Sequence, residues 1–363
     1  MAETLYTFPN GEQLVRNPRT QSLSVRFLAS KKVLSTSLLN GGYREDLTAI
    51  FNYTCGGPNT CMSLKAFEAH LAGEAAAMGL DPQHTTGVGT AALMKNAAVV
   101  TETYEALTVT ACVTAGVEGN AGCAGDPAFY YGGEDREILC PGTINILLFL
   151  GADMPPGVLA RAMVTAVEAK SAALRELLVG SRYSEEPATG TGTDSMILVA
   201  DPAAPVYFRG AGKHNKLGEL IGKTVKQAVK EALHRQNGLD EDMTRNGLYR
   251  LRRYGITWES LEALAESRHE RLSEEAKARL TDIHLVIWAT LYAHILDECR
   301  WGLLSAEEAR HLGGEILRAM AEESEIPAVP IKAEGIPGML EAFGIALIQT
   351  ITSPLAEQTM DDR

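Results

Sequence analysis

The 363-residue sequence lacks the features of exported, membrane-spanning and nucleic-acid-binding proteins. Its first 20 residues contain neither the basic start nor the apolar stretch of a secretory signal peptide. No uninterrupted apolar run reaches the ~20 residues that cross a bilayer. There is no basic stripe of the kind that binds nucleic acid, and the formal net charge is −13. We therefore expect a cytoplasmic protein with no nucleic-acid partner and no membrane insertion.

Cysteine is also sparse, with six residues in the chain. In a cytoplasmic protein they are expected to be thiols or metal ligands rather than disulfides. Zinc or an Fe–S cluster would use such thiolates, but the spacings C-x5-C and C-x10-C-x16-C match no standard ligand pattern, and buried free cysteines are common. Two interpretations stay open: no cofactor is required, or a metal or Fe–S cluster binds at five of the cysteines. These five are Cys55, Cys61, Cys112, Cys123 and Cys140.

Charge and periodicity divide the chain. Residues 240–363 carry 13 basic and 23 acidic side chains, whereas residues 1–239 carry 20 and 23. Strand-like and helical patterns mix in the first part, and helical periodicity dominates after residue 238. The sequence predicts a mixed α+β (α/β) domain over residues 1–238, followed by an all-α extension over residues 239–363.

Apolar spacing locates the main elements of the first domain. Helices are predicted over residues 63–78, 155–178 and 217–236, because apolar residues recur there at helical intervals. The runs TINILLFLG and SMILVAD are almost continuously apolar, which indicates strands buried on both faces. A polar, glycine-rich loop directly precedes the second run.

The loop and the strand that follows it form the stretch EEPATGTGTDSMILVAD, from Glu185 to Asp201. Glycines let a ligand approach the backbone closely, and the threonine hydroxyls and exposed amides then face it. Asp194 adds an acceptor or a general base. The alternative is a tight loop whose Thr and Asp side chains bond their own backbone. The stretch is neither a phosphate-binding Walker loop nor a dinucleotide fingerprint, because its glycines precede a strand and no Gly-Lys-Ser/Thr follows.

Further polar residues stand at other strand and helix ends. The loop AGKHNKLGE opens a helix with His214, where glycines and cations favour an anion or polar ligand, or where the histidine is simply solvated. PGTIN places Thr143 and Asn145 at the start of a buried strand, and buried side chains of this kind need partners. Because several such ends recur in one domain, we predict that one site collects them.

Five motifs occur in an order that resembles the adenosylcobinamide amidohydrolase family, CbiZ. They are TAGVEGNA, PGTINILL, VTAVEAKSAALREL, ATGTGTDSMILVA and AGKHNKLGELIGKTVKQAV, over roughly residues 22–236. The resemblance implies cleavage of the amide between a corrin side chain and aminopropanol, which yields adenosylcobyric acid for corrinoid salvage. The chain departs from the family in a longer, cysteine-containing link between the TAG and GTIN motifs and in its helical C-terminal extension.

Amide hydrolysis needs an activated nucleophile and donors for the developing oxyanion. On residue chemistry alone, Asp194 is the first candidate for the base and His214 the second, and Thr193 with its neighbouring amides would stabilise the oxyanion. The other expected contacts to the corrinoid are listed together: Thr189, Thr191, Thr143, Asn145, Lys170, Glu168, Asn40, Thr114, Asn120, Lys216 and Glu219.

Two alternatives remain at this level. The same fold and the extra cysteines would also suit a non-catalytic binding or trafficking protein for a corrinoid, another tetrapyrrole or a metal cofactor. An enzyme of this fold that acts on a different amide is the third reading. A homo-oligomer is expected in each case. At the level of fold alone, the buried GTIN strand, long small-residue helix and glycine-rich return strand resemble the ornithine acetyltransferase and DmpA hydrolases, which implies a layered sheet-and-helix sandwich.

Overall fold

A computed structural model describes residues 2–55, 64–128, 131 and 142–353. The chain divides into two compact units, Met1–Asp240 and Glu241–Arg363. Each unit is built around its own core.

The first unit contains a five-stranded sheet in the order β1-β2-β3-β6-β7, a six-stranded sheet in the order β5-β4-β13-β11-β9-β8, and a short pair, β10-β12. The strands are β1 (Glu3–Thr7), β2 (Gln13–Asn17), β3 (Ser22–Arg26), β4 (Lys32–Ser35), β5 (Gly42–Arg44), β6 (Ala49–Thr54), β7 (Thr85–Thr90), β8 (Ala98–Tyr104), β9 (Leu107–Ala115), β10 (Ala121–Gly122), β11 (Ile144–Leu150), β12 (Gly190–Thr191) and β13 (Ser195–Ala200).

The described residues contain nine α-helices, the first three in the first unit and the remaining six in the second. They are α1 (Leu64–Ala77), α2 (Pro156–Glu176), α3 (Lys216–Asn237), α4 (Gly247–Leu251), α5 (Trp258–Ser267), α6 (Glu274–Ala278), α7 (Ile283–Arg300), α8 (Ala306–Glu323) and α9 (Gly335–Thr352).

The two large sheets face each other across an apolar core. Leu23, Ile50 and Val88 from one sheet pack with Leu147 and Ile197 from the other. On the outer side of the five-stranded sheet, α1 packs on the aromatic residues of β6, and α2 and α3 cover the outer side of the six-stranded sheet. The result is a layered sandwich with helices outside and two sheets inside, as the fold-level resemblance implied.

Each sheet contains one parallel pair with a helix between its strands. The pair β6 and β7 is joined through α1, and the pair β11 and β13 through α2. In the second pair Asn145 lies opposite Ser195, so both strands begin at the same edge of the sheet. Helix α2 runs back to that edge, and α3, which follows β13, runs back to it as well. This edge carries the Thr-Gly loop.

In the described residues of the second unit, every regular element is helical. Its core is formed mainly by α7, α8 and α9, with Tyr292, Leu317 and Phe343 fully buried. Helix α9 is long and apolar enough to cross a membrane by length and composition, but half of it is buried inside the protein. Its apolar face forms part of this core, as in the central helix of a globular unit.

The sequence-based elements agree closely with the structure. The helix predicted over residues 217–236 is α3: the Asn215 side chain accepts a hydrogen bond from the Leu217 amide at its start, and Gly238 ends it at a φ of 66°. The helix over residues 155–178 is α2, and the two continuous apolar runs are β11 and β13. The prediction of mixed α+β structure followed by helices is confirmed. Of the described strands, seven were not predicted: β1, β2, β5, β6, β8, β10 and β12.

Candidate functional site

The Asp194 carboxylate lies at the edge where β11 and β13 begin. Its Oδ1 accepts hydrogen bonds from the Ile144 amide at 2.9 Å and from Thr191 Oγ1 at 2.5 Å. Its Oδ2 accepts from the Thr191 amide at 3.0 Å and pairs with Lys170 Nζ. A carboxylate held by four donors is fixed in place, with its acceptor sites occupied by the chain itself. This arrangement ties the Thr-Gly loop to the start of β11.

The partner cation comes from the covering helix. Lys170 lies on the inner side of α2, and the exposed fractions of the Lys170 and Asp194 side chains are 8% and 11%. Gly190 passes directly over the pair, since a Cβ there would lie 2.5 Å from both Lys170 Nζ and Asp194 Oδ2. The glycine is therefore needed because the loop backbone approaches the chain's own ion pair, whereas the Thr-Gly alternation had favoured glycines that admit a ligand.

Next to this ion pair, two threonine hydroxyls and an amide surround one carbonyl group; we call Thr143, Thr193, Asn120 and Gly142 the threonine cluster. The Gly142 carbonyl oxygen accepts hydrogen bonds from Asn120 Nδ2 at 3.1 Å and from Thr193 Oγ1 at 3.2 Å. Thr143 Oγ1 lies 2.6 Å from Thr193 Oγ1. Two donors that converge on a carbonyl oxygen beside a hydroxyl form the arrangement that acyl-transfer sites use.

The direction of these hydrogen bonds follows from the inventory of donors. The single hydrogen of Thr193 Oγ1 is donated to the Gly142 oxygen, so in the 2.6 Å contact Thr143 is the donor. Asn120 Nδ2 has a second hydrogen, which it donates to Thr193 Oγ1 at 3.3 Å. The Tyr183 hydroxyl donates to Asn120 Oδ1 at 2.7 Å and so fixes the orientation of the amide.

Two other predicted residues lie on the opposite face of the six-stranded sheet. Asn145 is fully buried between the sheets, where its Nδ2 donates to Asn52 Oδ1 and to the Gly89 carbonyl, each at 3.0 Å. Asn52 Nδ2 in turn donates to Thr114 Oγ1 at 2.8 Å. Because successive side chains of a strand alternate in direction, these groups are separated from Asp194 by the sheet itself. Their contacts hold the two sheets together at the edge of the site.

His214 lies elsewhere, in a cleft of about 470 Å³ that we call the distal cleft; it is lined by Arg161, Gly212, Lys213, His214 and Asn215. The cleft is at the start of α3, whereas the end of α3 lies beside the threonine cluster. Asn237 Oδ1 there accepts from the Val117 amide, and the neighbouring Gly116 amide donates to the Thr143 carbonyl. Glu168, which pairs with Lys213 next to His214, lies two residues before Lys170, so the distal cleft and the Lys170–Asp194 pair border the same helix, α2.

The remaining predicted contacts divide in the same way. Thr189 lies near the threonine cluster, where its Oγ1 accepts from the Ala124 amide. Glu168 pairs with Lys213 at 2.9 Å beside the distal cleft, and Lys216 pairs with Glu219 at 2.5 Å on the first turn of α3. Asn40 fixes the backbone at the start of β7, because its Nδ2 donates hydrogen bonds to the carbonyls of Pro82 and Thr85.

The described cysteines are not gathered into a metal centre. Among the described residues, no group of three His, Cys, Asp or Glu side chains is arranged to hold a metal ion. Burial raises the pKa of Cys112 to about 12 and also raises the pKa of Cys55, whereas the thiolate form is the one that binds metals. The pKa of Cys123 is raised by burial and by the neighbouring Asp126 and Glu186. Cys61 and Cys140 lie outside the described residues.

Sequence reasoning missed two residues of this region. Tyr183 orients Asn120, and Asn52 connects the two sheets. Neither stands in a motif with a chemical signature, since Tyr183 belongs to a polar loop and Asn52 is the single amide of a β-strand. Only the pairing of β10 with β12, which brings Ala121 opposite Thr191, shows why the loop of Tyr183 meets Asn120.

In comparisons with known proteins, the matching family covers the first unit. The protein-family description "adenosylcobinamide amidohydrolase" (CbiZ) matches residues 5–241. An uncharacterised protein of Methanocaldococcus jannaschii, MJ1613, is 33% identical over 232 residues, which cover 60% of this chain and 88% of that protein. Among solved structures, the PH0078 protein from Pyrococcus horikoshii is similar at 11% identity and a TM-score of 0.31, covering 64% of this chain and 82% of that one. A likeness of this size carries no functional argument. The family match spans the whole sandwich with its threonine cluster, and the chain belongs to the adenosylcobinamide amidohydrolase family.

Proposed function

We propose that the protein hydrolyses the aminopropanol amide of adenosylcobinamide to adenosylcobyric acid in the cytoplasm, and that the threonine cluster carries the reaction. The observation behind this proposal is the convergence of Asn120 Nδ2 and Thr193 Oγ1 on one carbonyl oxygen next to the Thr143 hydroxyl. The substrate carbonyl takes the place that the Gly142 carbonyl holds in the structure. The two donors then stabilise the charge that develops on its oxygen.

In this scheme the Thr143 hydroxyl is the nucleophile. It attacks the amide carbon, and the carbon–nitrogen bond breaks as aminopropanol leaves with a proton. A water molecule then hydrolyses the ester on Thr143 and releases the carboxylic acid. His214 has no assigned role in this scheme, because it lines the distal cleft rather than the threonine cluster.

Asp194 has a different role from that of a base. Its two oxygens are occupied by four donors, and its partner Lys170 is almost entirely buried. We assign the pair to positioning, since it fixes the Thr-Gly loop against the Ile144 amide next to Thr143.

The test is turnover of adenosylcobinamide by the purified full-length protein, with cobyric acid and aminopropanol followed by mass spectrometry. Thr193→Val removes one oxyanion donor, and we expect kcat to fall by about 10²–10³-fold. Thr101→Val is the matched control, because Thr101 Oγ1 on β8 forms a similar hydroxyl pair with Thr110 on β9 at 2.9 Å, at the β8 edge of the same sheet.

Equal turnover by both variants would remove the threonine cluster from the mechanism. A shift of the corrin absorption band without any product would replace the enzyme with a corrinoid-binding or trafficking protein.

A further inference from the structure

The threonine cluster already holds an amide carbonyl of the chain itself, that of Gly142. The bond that follows this carbonyl joins Gly142 to Thr143, whose hydroxyl is part of the same cluster. From this geometry we infer that the chain cleaves its own Gly142–Thr143 peptide bond, and that Thr143 becomes a new amino terminus. The inference deepens the proposed function. It rests on that function in one respect, since the new amino terminus has a purpose only in the proposed hydrolysis.

Gly142 is built for this approach. Its φ is 133°, a value that residues with a side chain rarely adopt. A Cβ at this position would lie 3.2 Å from the Asn120 backbone nitrogen and 3.2 Å from the Gly116 carbonyl oxygen. Only glycine therefore brings its carbonyl group between the two donors. Thr143 is 7% exposed and Asn120 5%, so water competes little for these hydrogen bonds.

The hydrogen bonds define a route for the proton. Thr143 Oγ1 donates to Thr193 Oγ1, and Thr193 Oγ1 donates to the Gly142 oxygen. When Thr143 Oγ1 forms a bond to the Gly142 carbon, its proton passes to Thr193, and the proton of Thr193 passes to the former carbonyl oxygen. A neutral tetrahedral intermediate results without a separate base, while Asn120 Nδ2 supports the oxygen on which charge develops.

Collapse of this intermediate breaks the carbon–nitrogen bond. The hydroxyl proton of the intermediate moves to the departing nitrogen, which becomes the α-amino group of Thr143, and an ester links Gly142 to Thr143 Oγ1. Water then hydrolyses the ester to a Gly142 carboxylate and a free Thr143 hydroxyl, which makes the cleavage irreversible.

Cleavage would solve two problems of the proposed hydrolysis. It releases the Gly142 carbonyl, so the donors Asn120 Nδ2 and Thr193 Oγ1 become available to a substrate carbonyl. It also places an amino group with a pKa near 8 next to the Thr143 hydroxyl, where it serves as the base that Asp194 is too fully bonded to be.

The experiment follows the full-length protein by denaturing electrophoresis, intact mass and N-terminal sequencing, from synthesis in a cell-free system onward. We expect the 39.0 kDa chain to divide into residues 1–142 and 143–363, with the new terminus Thr-Ile-Asn-Ile. The rate should not depend on protein concentration. Thr143→Ser should retain cleavage, Thr143→Val should abolish it, Asn120→Ala should slow it by about 10²-fold, and Thr101→Val should leave it unchanged.

Circular dichroism verifies that each variant is folded. A folded wild-type chain that stays at 39.0 kDa overturns the inference, and so does cleavage after residue 142 in Thr143→Val, which would reveal an external protease. The turnover assay separates this result from the proposed function. An intact chain that forms cobyric acid refutes only the cleavage, and a cleaved chain that forms none refutes only the amidohydrolase.

Discussion

The interiors of the two units differ in where they place polar side chains. The first unit buries polar or charged residues throughout, among them Asn52, Asn120, Asn145 and Lys170. In the described part of the second unit, only Asp297 and Ser353 are buried polar residues. Burying a polar group costs free energy unless it is hydrogen-bonded, so a unit that buries many of them keeps them for positioning or chemistry.

The extent of the family match points the same way. It ends at residue 241, and the first unit ends at Asp240. The second unit has a core of aliphatic and aromatic residues, in which the Tyr292 hydroxyl donates to the Met339 carbonyl at 2.8 Å. The comparison thus assigns the chemistry to the first unit and predicts that changes in the second unit affect stability alone.

The largest effect is expected from one buried ion pair in each unit. Lys170 pairs with Asp194 in the first unit, and Arg253 pairs with Asp297 in the second, where Tyr254 also donates to Asp297 at 2.6 Å. Asp194→Asn and Asp297→Asn each remove the negative charge that pairs with a buried cation, and each should lower the free energy of unfolding by about 3–5 kcal/mol. Only Asp194→Asn should also lower kcat, by about 10²-fold, because it displaces the loop beside Thr143.

Unfolding can be assigned to a unit. The three tryptophans, at positions 258, 288 and 301, all belong to the second unit, so their fluorescence in urea reports its unfolding. Peptide-resolved hydrogen exchange reports the first unit. If Asp297→Asn lowered kcat as much as Asp194→Asn, the assignment of chemistry to the first unit would fail.

A smaller effect is expected from two glycines with opposite surroundings. Gly190→Ala would place a Cβ 2.5 Å from Lys170 Nζ and Asp194 Oδ2, and we expect a loss of about 1–3 kcal/mol together with reduced turnover. Gly314 lies inside α8, and a Cβ there meets nothing within 4 Å. Gly314→Ala should therefore stabilise the second unit by about 0.5–1 kcal/mol. Urea unfolding and the turnover assay measure both, and two stability changes of the same sign would contradict the expectation.

Much of the fold follows from the sequence because its signals are local. The unbroken apolar runs of β11 and β13 and the helical spacing of α2 and α3 depend only on neighbouring residues. Strand β1 lies at the edge of its sheet with no buried residue and β2 has one, so their alternation gives a weak signal; in β6, which is as long as β13, Asn52 interrupts the apolar run.

The site follows from the sequence only in part, since its geometry depends on how distant segments meet. Asp194 and Lys170 meet because α2 returns to the edge where β13 begins, which the sequence order allows but does not specify. His214 was grouped with Asp194 because both stand in glycine-rich loops. The structure places His214 in the distal cleft and Asp194 against Lys170 of α2, and the sequence specifies neither contact.

The smallest effect on stability is expected from two carboxylates, one in each unit. Each accepts a hydrogen bond from a serine hydroxyl and another from a backbone amide. Asp126 Oδ2 accepts from Ser181 Oγ at 2.6 Å and from the Cys123 amide at 2.7 Å, and Glu308 Oε2 accepts from Ser305 Oγ at 2.6 Å and from the Ser305 amide at 2.9 Å. Burial tends to raise the pKa of Asp126, but these hydrogen bonds and one from Ser184 outweigh it and lower the pKa. The hydrogen bonds from Ser305 lower the pKa of Glu308.

Both carboxylates therefore favour folding above their usual pKa values of 3.8 and 4.5, and they lose that contribution as the pH falls through the lower, folded-state pKa. Asp126→Asn should weaken the acid dependence of hydrogen-exchange protection in residues 121–124 and 181–191, and leave the acid dependence of tryptophan fluorescence unchanged. Glu308→Gln should do the reverse. Because Asp126 joins the loop of Tyr183 to β10, only Asp126→Asn should also alter turnover. An equal change of turnover in both variants would mean that the acidic second unit contributes to the chemistry.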